Sequence, residues 1–205
     1  MPRPADPELA DRIVQAAADL LEERGIDGVT MRGVAAAAGC SATTIYQRFT
    51  NKDELLDHAV VRGLELFTAA SRDADPGGPA RDRLVANAHV YVSWGIGNPA
   101  LYRLMFEQRL HAPAAGDELV RRRRGWEQQR TLIGDVLAER PAGGPEVDAE
   151  LATDAVFVSL HGIVSLAISG RLLGPQASSD QQLARGAAIV DHLVEQWALA
   201  WGLDG

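Results

Sequence analysis

Residues Gly25 to Asn51, GIDGVTMRGVAAAAGCSATTIYQRFTN, decide the fold of this chain. The spacing predicts two short helices joined by a tight turn. Thr30 suits an N-cap, because its hydroxyl can accept an otherwise orphaned backbone N–H of the first turn. Val34 and Ala38, four residues apart, give the helix that follows one buried edge. Gly39 supplies a C-terminal stop in the left-handed region. Ser41 then caps a second helix whose buried edge is Ile45 and Phe49. The opposite face carries Thr43, Thr44, Gln47 and Arg48, with Tyr46 at its side. It is neutral to basic and rich in hydrogen-bonding groups. Two short helices around a glycine turn form a helix-turn-helix, whose second helix enters the DNA major groove.

Outward from this stretch the chain is helical at every point where a pattern shows. Asp6-Pro7 is a helix start, and Leu9, Ile13, Ala16, Ala17, Leu20 and Leu21 repeat at helical spacing up to about Arg24-Gly25. Asn51-Lys-Asp-Glu54 resembles a capping box and opens a fourth helix towards Arg72, with Leu55, Leu56, Ala59, Val60, Leu64 and Phe67 on its apolar side. After the break at 75–79, a fifth helix covers about Ala80 to Trp94 and a sixth starts at Asn98-Pro99, ending in the run 111–116. A seventh runs from Asp117 to about Arg140, and an eighth from about Val147 to Gly170. A ninth, capped by Ser179 with Gln182 three residues on, reaches about Trp201. The expectation is an all-α chain of about nine helices. Residues 1–51 form the DNA-binding domain, 52–75 a connecting helix, and 76–205 a larger helical domain.

The segment from Ile13 to Leu55 resembles the DNA-binding domain of the TetR family of bacterial transcriptional regulators. The resemblance rests on Ile13, Ala17, Leu20, Gly25, Thr30, Met31, Val34, Ala35, Gly39, Ser41, Thr44, Ile45, Tyr46, Phe49, Lys52, Leu55 and the adjoining Leu56. Asn98 to Phe106 and the pair His161-Gly162 are similar to one large subgroup of TetR C-terminal domains. The resemblance implies that Thr43, Thr44 and Gln47 read bases. It also implies that Thr30, Arg32, Ser41, Tyr46, Arg48 and Lys52 sit at the DNA interface, several of them on phosphates. Gln47 can pair bidentately with adenine. Ala42 departs from the family, which often has a lysine there, so phosphate anchoring and salt dependence should be weaker. A merely solvated polar face is the competing account of these side chains.

Charge distribution agrees with this assignment. The 205 residues carry a net −8. Between Arg24 and Lys52, four cations stand against Asp27 alone, a local +3 that leaves −11 for the rest. An acidic body with a basic reading edge suits sequence-specific DNA binding with weak off-site affinity. Lys52 is the only lysine.

The eighth and ninth helices are apolar over a wide arc. Leu151, Ala155, Val158, Gly162, Ser165, Leu166 and Ser169 line one, and Leu183, Ala187, Val190, Val194, Trp197 and Trp201 the other. Both stripes are expected at a two-fold homodimer interface, with intrachain core as the alternative. The family's C-terminal domain encloses a mainly apolar pocket for a small-molecule effector. His89, Trp94, Tyr102, Met105, Phe106, Trp126, Phe157 and His161 are its candidates here, and each could equally be ordinary core.

Other chemistry is not written in the sequence. No nucleophile elbow, P-loop, H-E-x-x-H or C-x-x-C occurs, so no enzyme, cofactor or metal is expected. Cys40, the one cysteine, cannot form an intramolecular disulfide; a buried structural thiol in a reducing, cytoplasmic setting is expected. His58, His89, His111, His161 and His192 lack metal-ligand spacing. Arg121 to Arg124 suit a solvated helix face better than a second nucleic-acid patch. The N-terminal MPRPADPELA lacks the apolar core of a signal peptide, and the apolar run Ala155 to Gly170 is short for a bilayer, so no membrane partner is expected. A ligand-responsive dimeric repressor on a palindromic operator is the leading function. A TetR-like DNA-binding or protein-binding factor without effector control, and a helical-bundle enzyme, are the alternatives.

Overall fold

The computed structural model describes the backbone of residues 7–106 and 117–203, and side chains over 8–106 and 126–203. Nine helices occur among the described residues: α1 Pro7–Gly28, α2 Met31–Ala37, α3 Ala42–Tyr46, α4 Lys52–Asp73, α5 Ala80–Gly97, α6 Pro99–Phe106, α7 Asp117–Ala138, α8 Ala149–Ile168 and α9 Ser179–Trp201. No strand occurs among those residues. The chain divides into two units. One comprises residues 1–66 and 98–121, the other 67–97 and 122–205.

In the first unit, the regular turn of α1 breaks at Gly25, whose φ of 68° is a conformation that side-chain-bearing residues rarely adopt. The break lies where the sequence places it. Ile13, Ala17 and Leu21 of α1, Val34 and Ala35 of α2, Ile45 of α3, and Leu55, Leu56, Ala59 and Val60 of α4 are all buried in this unit. Sequence reasoning ends this unit before the fourth helix, whereas α4 up to Leu66 belongs to it, and so does α6. The reason is local. The Glu22 carboxylate of α1 accepts the amides of Ala100 at 3.0 Å and Leu101 at 2.6 Å, binding the first turn of α6. Leu101 and Met105 then press on Gly63 of α4, where a Cβ would stand 2.8 Å from Leu101 and 3.0 Å from the Met105 sulfur.

In the second unit, α5, α8 and α9 form the core. Gly186 lets α9 approach closely, since a Cβ there would meet Val92 at 2.8 Å, Ile96 at 3.4 Å and Ile163 at 3.5 Å. Gly95 does not stop α5, which continues to Gly97 because Gly95 and Ile96 are packed inside. Asp148 caps α8 by accepting the amides of Glu150 and Leu151. The cap of α9 is Ser178, not Ser179, in a reciprocal capping box with Gln181. The expected break at 111–116, the cap Asp6, His111 and the side chains of Arg121 to Arg124 lie outside the described residues.

Two expectations about apolar runs need correction. The α8 helix has 20 residues, a length and hydropathy sufficient for a bilayer; 39% of its most apolar 18-residue window is buried inside the protein. On α9, Val190, Val194, Trp197 and Trp201 are buried within this chain, and the two indoles stack at 6.0 Å. They are intrachain core, and Leu183 and Ala187 beside them are half-buried.

Candidate nucleic-acid interface and aromatic cluster

The reading element is built from its caps. Thr30 Oγ1 accepts the amide of Gly33 at 3.0 Å and starts α2. Gly39, with φ 69°, ends it, and the amide of Cys40 returns to the carbonyl of Ala35 at 2.9 Å. Ser41 Oγ accepts the amide of Thr44 at 3.1 Å and lies 2.8 Å from its hydroxyl. The helix α3 is shorter than the sequence suggests, ending at Tyr46, with Phe49 reaching the core from beyond it. With Ile45 and Phe49 buried, Thr43, Tyr46 and Gln47 are exposed and Thr44 and Arg48 half-buried. Tyr46 is 57% exposed, an apolar ring with no core role. Arg32 is exposed on α2. Cys40 is half-buried rather than buried.

Lys52 is placed differently from a free surface cation. Its Nζ donates to the carbonyl of Ile26 beside the Gly25 break, and the side chain is partly buried. An ammonium has three donors, so this bond orients Lys52 without exhausting it. Asn51 Oδ1 accepts the amide of Glu54 at 2.9 Å and caps α4. Glu54 Oε2 in turn accepts the amide of Thr50 at 2.5 Å; that amide, and the Thr50 side chain after it, hold the Glu54 carboxyl below the usual carboxylate range.

The expected effector residues are divided between the two units. Tyr102, Met105 and Phe106 lie in the first unit, where Tyr102 and Met105 are buried and the Tyr102 and Phe106 rings sit 4.7 Å apart. His89 has a partner of its own: its Nε2 is 2.8 Å from Asp191 Oδ1, in a partly exposed link between α5 and α9. Trp94, Trp126, Phe157 and His161 do come together, in the second unit. Phe67 contacts Tyr91 at 5.6 Å and Trp94 at 5.5 Å; Tyr91 contacts Phe157 at 6.4 Å. Phe157 meets Trp126 at 5.6 Å and stacks on His161 at 5.7 Å. His161 Nε2 is also 3.4 Å from the Ser165 hydroxyl one turn on. The sequence pattern marks Phe67 only as a packing residue of α4 and does not single out Tyr91. Tyr91 is buried, while Phe67, Trp94, Trp126, Phe157 and His161 all retain partial exposure.

A third feature is the outer face of α8. Leu151 is 67% exposed, Val158 66% and Leu166 45%, and Ala155 and Ser169 are exposed on the same stripe. Among the described residues, nothing beyond its chain neighbours and its own helix backbone lies within 4 Å of where a Cβ would stand at Gly162, mid-stripe, and it and Ser165 are half-buried. Leu199 of α9 is 67% exposed. No group of three or more potential metal ligands occurs among the described residues.

Comparison with known proteins gives these features a family. Residues 13–59 match the family described as "Bacterial regulatory proteins, tetR family". Residues 84–190 match "Tetracyclin repressor-like, C-terminal domain". The chain is 30% identical over 149 residues to the HTH-type transcriptional repressor DrrR1 of Streptomyces coeruleorubidus, an alignment covering 72% of this chain and 48% of that protein. The chain thus spans about half the length of this curated relative. A protein of unknown function from Rhodococcus sp. RHA1 has the same fold with a TM-score of 0.73 and 26% identity, over 96% of this chain and 98% of that one. The TetR-family regulator PfmR of Thermus thermophilus superposes with a TM-score of 0.64 at 22% identity, over 90% and 98% of the two chains. The matched regions take in the helix-turn-helix and, apart from Phe67, the aromatic cluster, and this chain belongs to the TetR family of bacterial transcriptional regulators.

Proposed function

We propose that the chain is a cytoplasmic, dimeric repressor that binds a palindromic operator and is released by a small, mainly apolar effector. The carrying observation is α3 itself: Ile45 and Phe49 are buried, and Thr43, Tyr46 and Gln47 are exposed with no packing duty. On this proposal Thr43, Thr44 and Gln47 contact base edges, and Thr30, Arg32, Ser41, Tyr46, Arg48 and Lys52 hold the backbone. The name of the relative from Streptomyces supports repression over activation.

The exposed apolar stripe of α8 supports dimerisation. A solvent-facing row of leucine and valine is covered when two copies cross at Gly162, where the absence of a side chain permits close approach. The two α3 helices would then address successive major grooves, roughly 34–36 Å apart. The aromatic cluster supports an effector site, since apolar pockets with a few polar groups are the usual form of small-molecule sites. The α4 helix contributes residues to both units and is the proposed route of a population shift.

The test is selection of DNA from a random-sequence pool by the full chain. A two-fold-symmetric consensus supports the reading. Recovery of unrelated sequences overturns it. A consensus bound equally with and without every effector tried points to a regulator without effector control.

A further inference from the structure

Among the described residues of the second unit, Ser71 Oγ, Asn87 Oδ1, Gln129 Nε2 and Gln182 Oε1 are buried without a hydrogen-bond partner. Buried polar groups are normally paired, so orphans gathered in one unit need a cause. Gln182 stands apart, since it precedes Gly186 by one turn of α9, at the Ile96 end of α5. The other three each stand one helical turn from a ring of the aromatic cluster. Ser71 follows Phe67 by four residues on α4, Asn87 precedes Tyr91 by four on α5, and Gln129 follows Trp126 by three on α7.

The helix directions bring these three to one level. Asp75 pairs with Arg83 at 3.3 Å, and Phe67 meets Tyr91 at 5.6 Å. Ser71 and Asn87 lie midway between those two contacts along their chains. Ala80 donates its amide to Glu139 at 2.9 Å and Arg83 pairs with Asp135 at 3.5 Å, so α5 and α7 run antiparallel. Gln129 lies between Asp135, at the Arg83 level, and Trp126, which shares Phe157 with Tyr91. The unit therefore has an aromatic layer of Phe67, Tyr91, Trp126 and Phe157. A layer of uncharged polar groups lies below it along the helix axes, about 6 Å away for Ser71 and Asn87 and about 4.5 Å for Gln129. Beyond that layer Arg83 is already held by Asp75 and Asp135.

From this we infer the chemical class of the effector, resting on the effector reading above: an uncharged aromatic compound whose ring carries a group that both donates and accepts hydrogen bonds, such as a carboxamide. The ring sits among the cluster. The amide N–H groups donate to Asn87 Oδ1 and Ser71 Oγ, and the carbonyl accepts from Gln129 Nε2. A carboxylate is disfavoured, because Arg83, the cation next to this layer, is already paired with two carboxylates and burying an uncompensated charge is costly. A bare hydrocarbon leaves the three groups orphaned.

The experiment uses the full chain without DNA and three probes of one size: 2-naphthamide, naphthalene and 2-naphthoate. Binding is measured by calorimetry, with quenching of Trp94 and Trp126 as a second readout. The expected result is naphthamide at least tenfold tighter than either other probe. The Asn87→Leu/Gln129→Leu double variant should remove that preference, keep naphthalene affinity, and unfold at a temperature no lower than wild type, since it deletes groups that lack partners. Equal binding of the three probes, no binding of any, or a preference that survives in the folded double variant overturns the inference; if the variant does not fold, the preference must instead fall in Ser71→Ala. Effector control is judged separately. Naphthamide that binds as expected but leaves operator affinity unchanged fails that reading and leaves the site standing.

Discussion

The carboxylate of Glu22 accepts the amide of Leu101 at 2.6 Å, and its other oxygen takes the amide of Ala100 at 3.0 Å. A side chain of the first helix thus caps a helix nearly eighty residues later. A carboxylate at a helix N-terminus also meets the favourable end of the helix dipole. Glu22→Ala leaves two partly buried amides unpartnered and should lower the unfolding free energy by about 2 kcal/mol. Glu22→Gln, which keeps one acceptor, should cost about half of that, read from urea unfolding. No change in either variant would remove this contact from the account of α6.

Lys52, a proposed phosphate contact, is tied to the backbone beside the Gly25 break through its bond to the Ile26 carbonyl. Lys52→Ala is expected to weaken binding to all DNA sequences alike and to reduce the salt dependence of log K by about one. An unchanged salt slope would leave Lys52 with the structural role alone.

Gln47 is exposed at the C-cap of α3 and packs in no core. Gln47→Ala should relax preference at one operator position, worth roughly 1–3 kcal/mol, while leaving thermal stability unchanged. Uniform weakening across all sequences would assign Gln47 to the phosphate backbone instead.

The lowered titration of Glu54 gives a pH dependence with a definite sign. A carboxyl depressed by folding adds stability above its unfolded value, and that stability is lost as pH falls through the folded value. Glu54→Gln should therefore be less stable than wild type at neutral pH. The two should converge as pH drops below about 4, the range of an ordinary glutamate. Chemical unfolding at both pH values checks this.

Much of the first unit was legible in the sequence because its signals are local. Thr30, Gly39 and Ser41 are caps whose chemistry is set by the neighbouring three or four residues, and each does what its position implies. The apolar stripe on α9 was not legible. Periodicity shows that Val190, Val194, Trp197 and Trp201 share a face, but not whether that face meets α5 and α8 or another molecule. The pairing of His89 with Asp191 was likewise not legible until the fold set the two side by side. The buried polar layer was missed because Ser71, Asn87 and Gln129 look like ordinary solvated helix residues. Their spacing from Phe67, Tyr91 and Trp126 was the available signal, and it gains meaning only once those rings are known to touch.

A dimer that reads a two-fold operator is tested most directly at Gly162. Among the described residues, a Cβ at Gly162 meets no atom within 4 Å beyond its chain neighbours and its own helix backbone, so Gly162→Glu should fold as wild type does. The measurement is sedimentation of wild type and Gly162→Glu, each alone and with the operator recovered by DNA selection. The expected result is a wild-type dimer at micromolar concentration that protects two symmetric half-sites, and a folded Gly162→Glu monomer that protects neither. A wild-type monomer that binds the operator, or a Gly162→Glu protein that still dimerises and binds it, would contradict the account.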